Sequence, residues 1–497
     1  MSIKRSSSNN PNPILEECTI EFSRVSKSQN KIFWNFLKKI IRWPTTMIKK
    51  IYNTCLLLKY KELYKPLCKN HCPMRMINTF STLMFTWKIA AKPQLMKAIL
   101  KHARKDPENG IFDDSLSAKI FIPLLRDLYP SEIIDVDDCL MTCHKKYFNL
   151  YRQPILHFIG PHNIKKHEHE LQKIVEESIN FWVRESLGKK INATDLSLIY
   201  TTTVISRLLL GHPGPFEVYR DIAYAIDCLN KHIVKINLKQ SLSIEEIKKY
   251  QNSLEIVRKA IDVSLKTVEK PSFGSLVHAL QEDKQMSELQ IKTTLFLMYA
   301  GGSESTATLL NYLLWQLGQH PNYQKRILEE IRDKKGSLFE ISRQSQCIEN
   351  LFNECIRLMT PLYILNRQPV SELVCTVMDR KGEEVFKINI DKDDDLLCAP
   401  TFAARDPQYY ENPDDFNPDR FINTSKTLPW LPFGDGKHTC PGQWLAKEEI
   451  CQLITLLVQR YQIQSIPEKE VKQQGYITLK PTEDIWLILT SRKNDFL

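Results

Sequence analysis

Cys440 lies in LPFGDGKHTCPGQWLAKEEI, residues 431–450, a stretch with glycines at 434, 436 and 442. A thiolate is a strong ligand for soft metals wherever its charge is tolerated. After Pro441, residues Trp444, Ala446, Ile450, Leu453 and Leu457 keep helical spacing, which predicts a helix starting at or just beyond the thiol. Free N–H groups and the positive end of the helix dipole would then lower the energy of an anion. Glycines without side chains let the backbone pass close to something large and flat. A single cysteine cannot hold zinc alone, but a macrocycle supplying four nitrogens needs only one protein ligand.

Two more groups could do chemistry or support it. In NECIRL, Glu354 and Arg357 stand three apart on one helix face and can pair, and FNPDRF supplies a further cation, Arg420. LFLMYAGGSESTATLLNYLLWQL carries Glu304, Ser305 and Thr306 behind Gly301 and Gly302. Paired glycines weaken a helix, and a Ser305 hydroxyl bonded back to the Gly301 carbonyl would open a groove. There Glu304 and Ser305 could relay protons while apolar neighbours exclude bulk water.

Phe433, Gly436, His438, Cys440 and Gly442 fall at the spacing of the haem-ligand signature of the cytochrome P450 family, which the chain resembles over about residues 285–462 and more weakly over 80–285. The resemblance implies Cys440 as the iron ligand of haem b, bordered by Phe433, Gly436, His438 and Gly442. It implies that Arg367 meets a haem propionate, and that Ala300 and Gly301 lie against the haem. Glu354, Arg357 and Arg420 correspond to a structural cluster behind the haem, and Glu304 with Ser305 or Thr306 to the oxygen-activating segment. This sequence has His438 where Arg is commoner and Ser305 where Thr is commoner, so either hydroxyl could serve. In HKKYFNLYR, Phe148 stands where Trp or His is usual, leaving Lys145, Lys146 or Arg152 to meet the haem.

The activity so implied is that of a haem-thiolate monooxygenase, placing one atom of O2 in a C–H bond of a small apolar substrate. Electrons would come from NAD(P)H through a flavoprotein reductase or ferredoxin. CPG at the ligand and KDDDLLCAP resemble the branch that acts on sterols, bile-acid precursors and prostanoids. The alternatives are a peroxide isomerase or dehydratase of the same fold, and a non-catalytic haem-binding sensor; the acid–alcohol pair favours the monooxygenase.

These residues need a scaffold. Apolar residues recur at helical spacing through most of the chain, so the fold class expected is mainly α with a small β region, and the resemblance makes it the P450 fold with a long central helix crossing above the haem. That helix is expected from about Ser287 to Leu317, roughly 45 Å at 1.5 Å per residue. A Glu and several Ser and Thr near its centre make lipid exposure costly, which favours the protein interior. Ser81–Ala91 reads as a strand, with a helix after it that has Pro93 near its start. Ser371–Pro400 reads as strands joined by the Lys381–Gly382 turn, and Tyr476–Thr490 as a further strand pair.

The 497 residues carry +10, and residues 1–66 hold thirteen Lys+Arg against four acids. This suggests a basic, partly amphipathic extension over 1–80 and a single catalytic domain over 81–497. Residues 31–66 interleave lysines with Trp, Phe, Ile and Leu, which fits peripheral membrane contact better than nucleic acid. Neither a signal peptide nor an N-terminal transmembrane anchor is read, so the expected location is the cytoplasmic side, soluble or peripherally membrane-associated. The 13 cysteines form no regular framework and are expected reduced. CLMTCH (139–144) has three residues between its cysteines where c-type haem attachment needs two, and CKNHC (68–72) lacks a second pair for zinc; both read as ordinary thiols.

Overall fold

The computed structural model describes residues 19–24, 87–90, 93–101 and, with short interruptions, 112–492. The amphipathic stretch 31–66, CKNHC, residues 81–86 and the Lys381–Gly382 turn lie outside the described residues.

Helices dominate. The first four are α1 (Pro93–Lys101), α2 (Ser115–Leu128), α3 (Lys145–Ile159) and α4 (Glu168–Ser186). Next come α5 (Ala193–Val204), α6 (Phe216–Asn237), α7 (Ile244–Lys266) and α8 (Leu276–Asp283). The central pair is α9 (Glu288–Gly302) and α10 (Glu304–Gln319), followed by α11 (Pro321–Ile331), α12 (Leu338–Arg343) and α13 (Gln346–Leu358). A short α14 (Pro400–Ala403) and the long α15 (Gln443–Arg460) complete the helices among the described residues.

Local chemistry sets several of these boundaries. Ser287 caps α9 by accepting from Gln290 N–H while the Gln290 side chain accepts from Ser287 N–H. Pro93 opens α1, and Pro321 opens α11, where a missing N–H costs nothing. The expected long helix is interrupted at Ser303 (φ −78°, ψ −63°), whose carbonyl accepts from Ala307 N–H at 3.0 Å and from Thr201 Oγ1 of α5 at 2.8 Å. This cross-link secures the α9–α10 junction to α5. A Cβ on Gly302 would lie 2.6 Å from Ile205 Cδ1, so that glycine lets the π-turn after α5 pack directly on the break.

Among the described residues the strands form four small sheets. β1 (Thr19–Arg24), β6 (Leu373–Met378) and β7 (Glu384–Ile390) are antiparallel. In the order β2–β8–β5–β3, β2 (Trp87–Ala90) and β8 (Asp395–Cys398) run parallel, while β5 (Leu365–Pro369) and β3 (Phe112–Asp113) are antiparallel. β4 (Ile191–Asn192) and β9 (Tyr461–Ile466) flank β12 (Trp486–Ser491), and β10 (Gln473–Gly475) pairs with β11 (Leu479–Pro481). Tyr476–Thr490 therefore holds two strands, but they belong to different sheets; the expected pairing is corrected by upstream partners at 473–475 and 461–466. β1 lies inside the segment read as an extension.

One large apolar cluster links most helices, with Trp182, Tyr200, Phe296, Tyr299 and Phe352 fully buried. Burying side chains of this size stabilises by roughly 1.5–3 kcal/mol each. Cys139 and Cys143 belong to this core as buried thiols. Among the described residues no helix is long and apolar enough to cross a membrane.

Candidate active site

The Cys440 loop is pinned from several directions. Cys440 N–H donates to Phe433 O at 2.9 Å, closing the loop on itself, and Gly442 is the N-cap of α15. Gly434 (φ 77°) and Gly436 (φ 72°) occupy the left-handed region that glycine adopts without strain. A Cβ on Gly436 would stand 2.6 Å from the Leu100 carbonyl of α1, so the loop lies flat against that helix. Arg152 of α3 donates from Nη2 to Thr439 O at 2.6 Å. Phe148, one turn earlier, meets the His438 ring with centroids 5.1 Å apart. Lys146 is exposed, with its ammonium over Tyr147.

Burial pushes the Cys440 thiol up, while hydrogen bonds from Gly442 and Gln443 N–H and the Arg152 charge pull it down. In the protein alone burial wins; a cation on the sulfur would reverse the balance. Arg367, on β5, is buried and donates to Asn366 O at 2.7 Å. Leu365 at the start of that strand faces the position of a Gly434 Cβ at 3.8 Å, so β5 adjoins the ligand loop.

The expected charge cluster is present. Arg357 grips Glu354 through two bonds, Nε to Oε2 at 2.7 Å and Nη2 to Oε1 at 2.8 Å. Arg420 Nε and Asn417 N–H add bonds to Glu354 Oε1 at 3.0 and 2.8 Å. Glu354 and Arg357 are both 0% exposed, so every donor and acceptor needs a partner. Arg357 also donates to the carbonyls of Ala404, Pro413 and Asp415, and Arg420 to those of Glu411, Asn412 and Asp415.

Gly301 is exposed although it sits within a helix between buried Tyr299 and Ser303, and nothing lies within 4 Å of the place its Cβ would take. Ala300, beside it, is half-buried. Ser305 Oγ donates to Gly301 O at 2.7 Å, the back-bond expected from the sequence, at the edge of this opening. The neighbouring side chains turn elsewhere. Thr306 is buried and acts on the Glu449 carboxyl of α15, and Glu304 is 2% exposed, held by Asn230, Thr478 and Lys480. The structure thus separates Ser305 from Glu304 and Thr306. Asn230, Thr478, Lys480 and Glu449 carry no sequence signal, because each reaches its partner across long chain separations.

The donor set fits a large planar metallocycle with one thiolate ligand: a sulfur served by two N–H groups, a flattened glycine loop, cationic Arg152 and Arg367 with the His438 ring nearby, and open space at Gly301.

Comparison with known proteins agrees. The family model described as Cytochrome P450 matches residues 189–487. A sterol 14alpha-demethylase of Mycolicibacterium vanbaalenii is 30% identical over 36% of this chain and 39% of its own. The probable cytochrome P450 28d1 of Drosophila melanogaster is 26% identical over 60% and 63%, so the chain spans less than two thirds of either relative. The probable cytochrome P450 516A1 of Dictyostelium discoideum is 23% identical over 70% and 75%. The family match covers more than half of the 497 residues and includes the Cys440 loop, the Glu354 cluster and the interrupted central helix: the chain belongs to the cytochrome P450 family.

Proposed function

We propose that the protein is a haem-thiolate monooxygenase acting on a small apolar molecule. The observation that carries this reading is Cys440, set just before the N-terminus of α15 in a loop closed by its own N–H on Phe433 O and tied by Arg152 to Thr439 O. Bound haem b would activate O2 with electrons from NAD(P)H, delivered by a flavoprotein reductase or ferredoxin, and allow one oxygen atom to enter a C–H bond.

The chain's own residues divide the remaining tasks. Cys440 would hold the iron, with Phe433, Gly436 and Gly442 shaping the loop and Arg152, His438 and Arg367 meeting the acidic side arms. Ala300 and Gly301 leave room for O2 and substrate. Ser305, anchored on the Gly301 carbonyl, offers its hydroxyl as the proton carrier nearest the opening, and the apolar core behind it excludes bulk water. Glu354, Arg357 and Arg420 fix the segment that leads to the ligand loop.

A sterol or other lipid is the favoured substrate class, supported by the sterol 14alpha-demethylase among the relatives and by the CPG and KDDDLLCAP segments. Residues 81–497 would form one catalytic unit, with 31–66 touching a membrane peripherally on its cytoplasmic side.

The test is the carbon monoxide spectrum of the reduced, haem-loaded protein. A strongly red-shifted Soret band that disappears in Cys440→Ala is expected; its absence, or its survival in the variant, overturns the reading. Spectral shifts with a panel of sterols, fatty acids and xenobiotics then sort substrates. Product from a hydroperoxide without reductase would favour an isomerase or dehydratase, and failure of every substrate to turn over would favour a sensor.

A further inference from the structure

Glu304 does not face the opening beside Ser305. The Asn230 amide and the Thr478 hydroxyl donate to its carboxylate, and Lys480 Nζ lies 2.7 Å from Oε1. Lys480 is shared, because the same Nζ lies 2.8 Å from Oδ1 of Asp227, which also pairs with Lys231 at 2.6 Å. One ammonium therefore joins α10, the β10–β11 hairpin and α6. Burial would depress the Lys480 ammonium, but the two carboxylates outweigh it and hold the group charged.

The two carboxylates depend on Lys480 unequally. Asp227 keeps a second cation, Lys231, whereas the other partners of Glu304 are a neutral amide and a neutral hydroxyl. A buried carboxylate without a counter-charge is costly, so loss of Lys480 acts chiefly on Glu304. The residue that follows Glu304 is Ser305, whose hydroxyl stands at the opening.

We propose that Lys480 is a positioning residue for proton delivery: its ammonium holds the Glu304 carboxylate against α6 and the β10–β11 hairpin, away from the Ser305 opening. This deepens the monooxygenase reading and rests on it. Nothing in the local sequence marks Lys480, which stands 176 residues beyond Glu304.

The test uses haem-loaded protein with an NADPH-dependent flavoprotein reductase and no added substrate. O2 then takes two electrons from NADPH and two protons and leaves as H2O2, and the rate is compared in H2O and D2O. Wild type and Lys480→Arg are expected to share one solvent isotope effect, while Lys480→Met shifts by at least twofold. Lys480→Met combined with Glu304→Gln should match Glu304→Gln alone, because Lys480 acts through that carboxylate. A second measurement needs no turnover: Lys480→Met should lower the unfolding midpoint in wild type and far less in Glu304→Gln, yet keep its effect in Asp227→Asn. Additive effects of Lys480→Met and Glu304→Gln in both measurements overturn the proposal. A missing red-shifted carbon monoxide band with a non-additive unfolding cycle would instead overturn the monooxygenase reading and leave the Lys480–Glu304 dependence standing.

Discussion

Ser305 Oγ donates to Gly301 O at 2.7 Å, whereas Thr306, one residue later, is buried and its hydroxyl pulls down the buried carboxyl of Glu449. Adjacent alcohols on one helix thus serve different elements. Ser305→Ala is expected to divert electrons from product to peroxide, lowering product formed per NAD(P)H by on the order of tenfold or more, with stability nearly unchanged. Thr306→Ala should leave that ratio close to wild type and cost about 1 kcal/mol of stability. Measuring product, peroxide and unfolding midpoint for both variants checks the assignment; a reversed pattern refutes it.

The two glycines before the break should respond oppositely to alanine. At Gly302 a Cβ would lie 2.6 Å from Ile205 Cδ1, so Gly302→Ala is expected to destabilise by roughly 1–3 kcal/mol. Shortening the obstacle with Ile205→Val should recover part of the loss. At Gly301 nothing lies within 4 Å, so Gly301→Ala should retain or raise stability by up to about 1 kcal/mol while narrowing the opening. Denaturant unfolding distinguishes the two.

Glu354→Gln would leave Arg357, at 0% exposure, facing a neutral amide. A loss of about 3–5 kcal/mol is expected, read as a lower denaturation midpoint and as haem released more readily from the loaded protein. A change under 1 kcal/mol would contradict the geometry.

What the chain announced locally, the structure reproduced. The start of α15 near Cys440, the cap at Ser287, the Ser305 back-bond and the Glu354–Arg357 pair all depend on residues within a few positions of one another. Contacts set by tertiary packing were illegible. Lys480 reaches Glu304, Arg152 reaches Thr439 and Tyr200 reaches the Glu449 carbonyl only after the helices have packed. The same reason explains β11 and β12, which are neighbours in sequence but pair with different strands.

Glu449 gives a pH signature. Burial raises its carboxyl well above the ordinary 4.5, opposed only in part by Thr306. Above that ordinary value the unfolded chain releases this proton while the folded chain keeps it. Stability from this group is therefore full at low pH and falls by about 1.4 kcal/mol per pH unit until the folded group itself ionises. Glu449→Gln removes the slope, so the variant should gain on wild type progressively as pH rises above 5, until the folded carboxyl ionises. Parallel unfolding curves across that range would refute the protonated, buried state.

Arg357 and Arg420 fasten the segment from Ala404 to Asp415 by its carbonyl oxygens. Every amino acid presents the same oxygen, so most side chains along that loop can drift over generations while its path stays unchanged. Heritable change in the path must instead arise at Glu354, Arg357 or Arg420, and a lineage that lost one would have to rebuild the whole approach to Cys440.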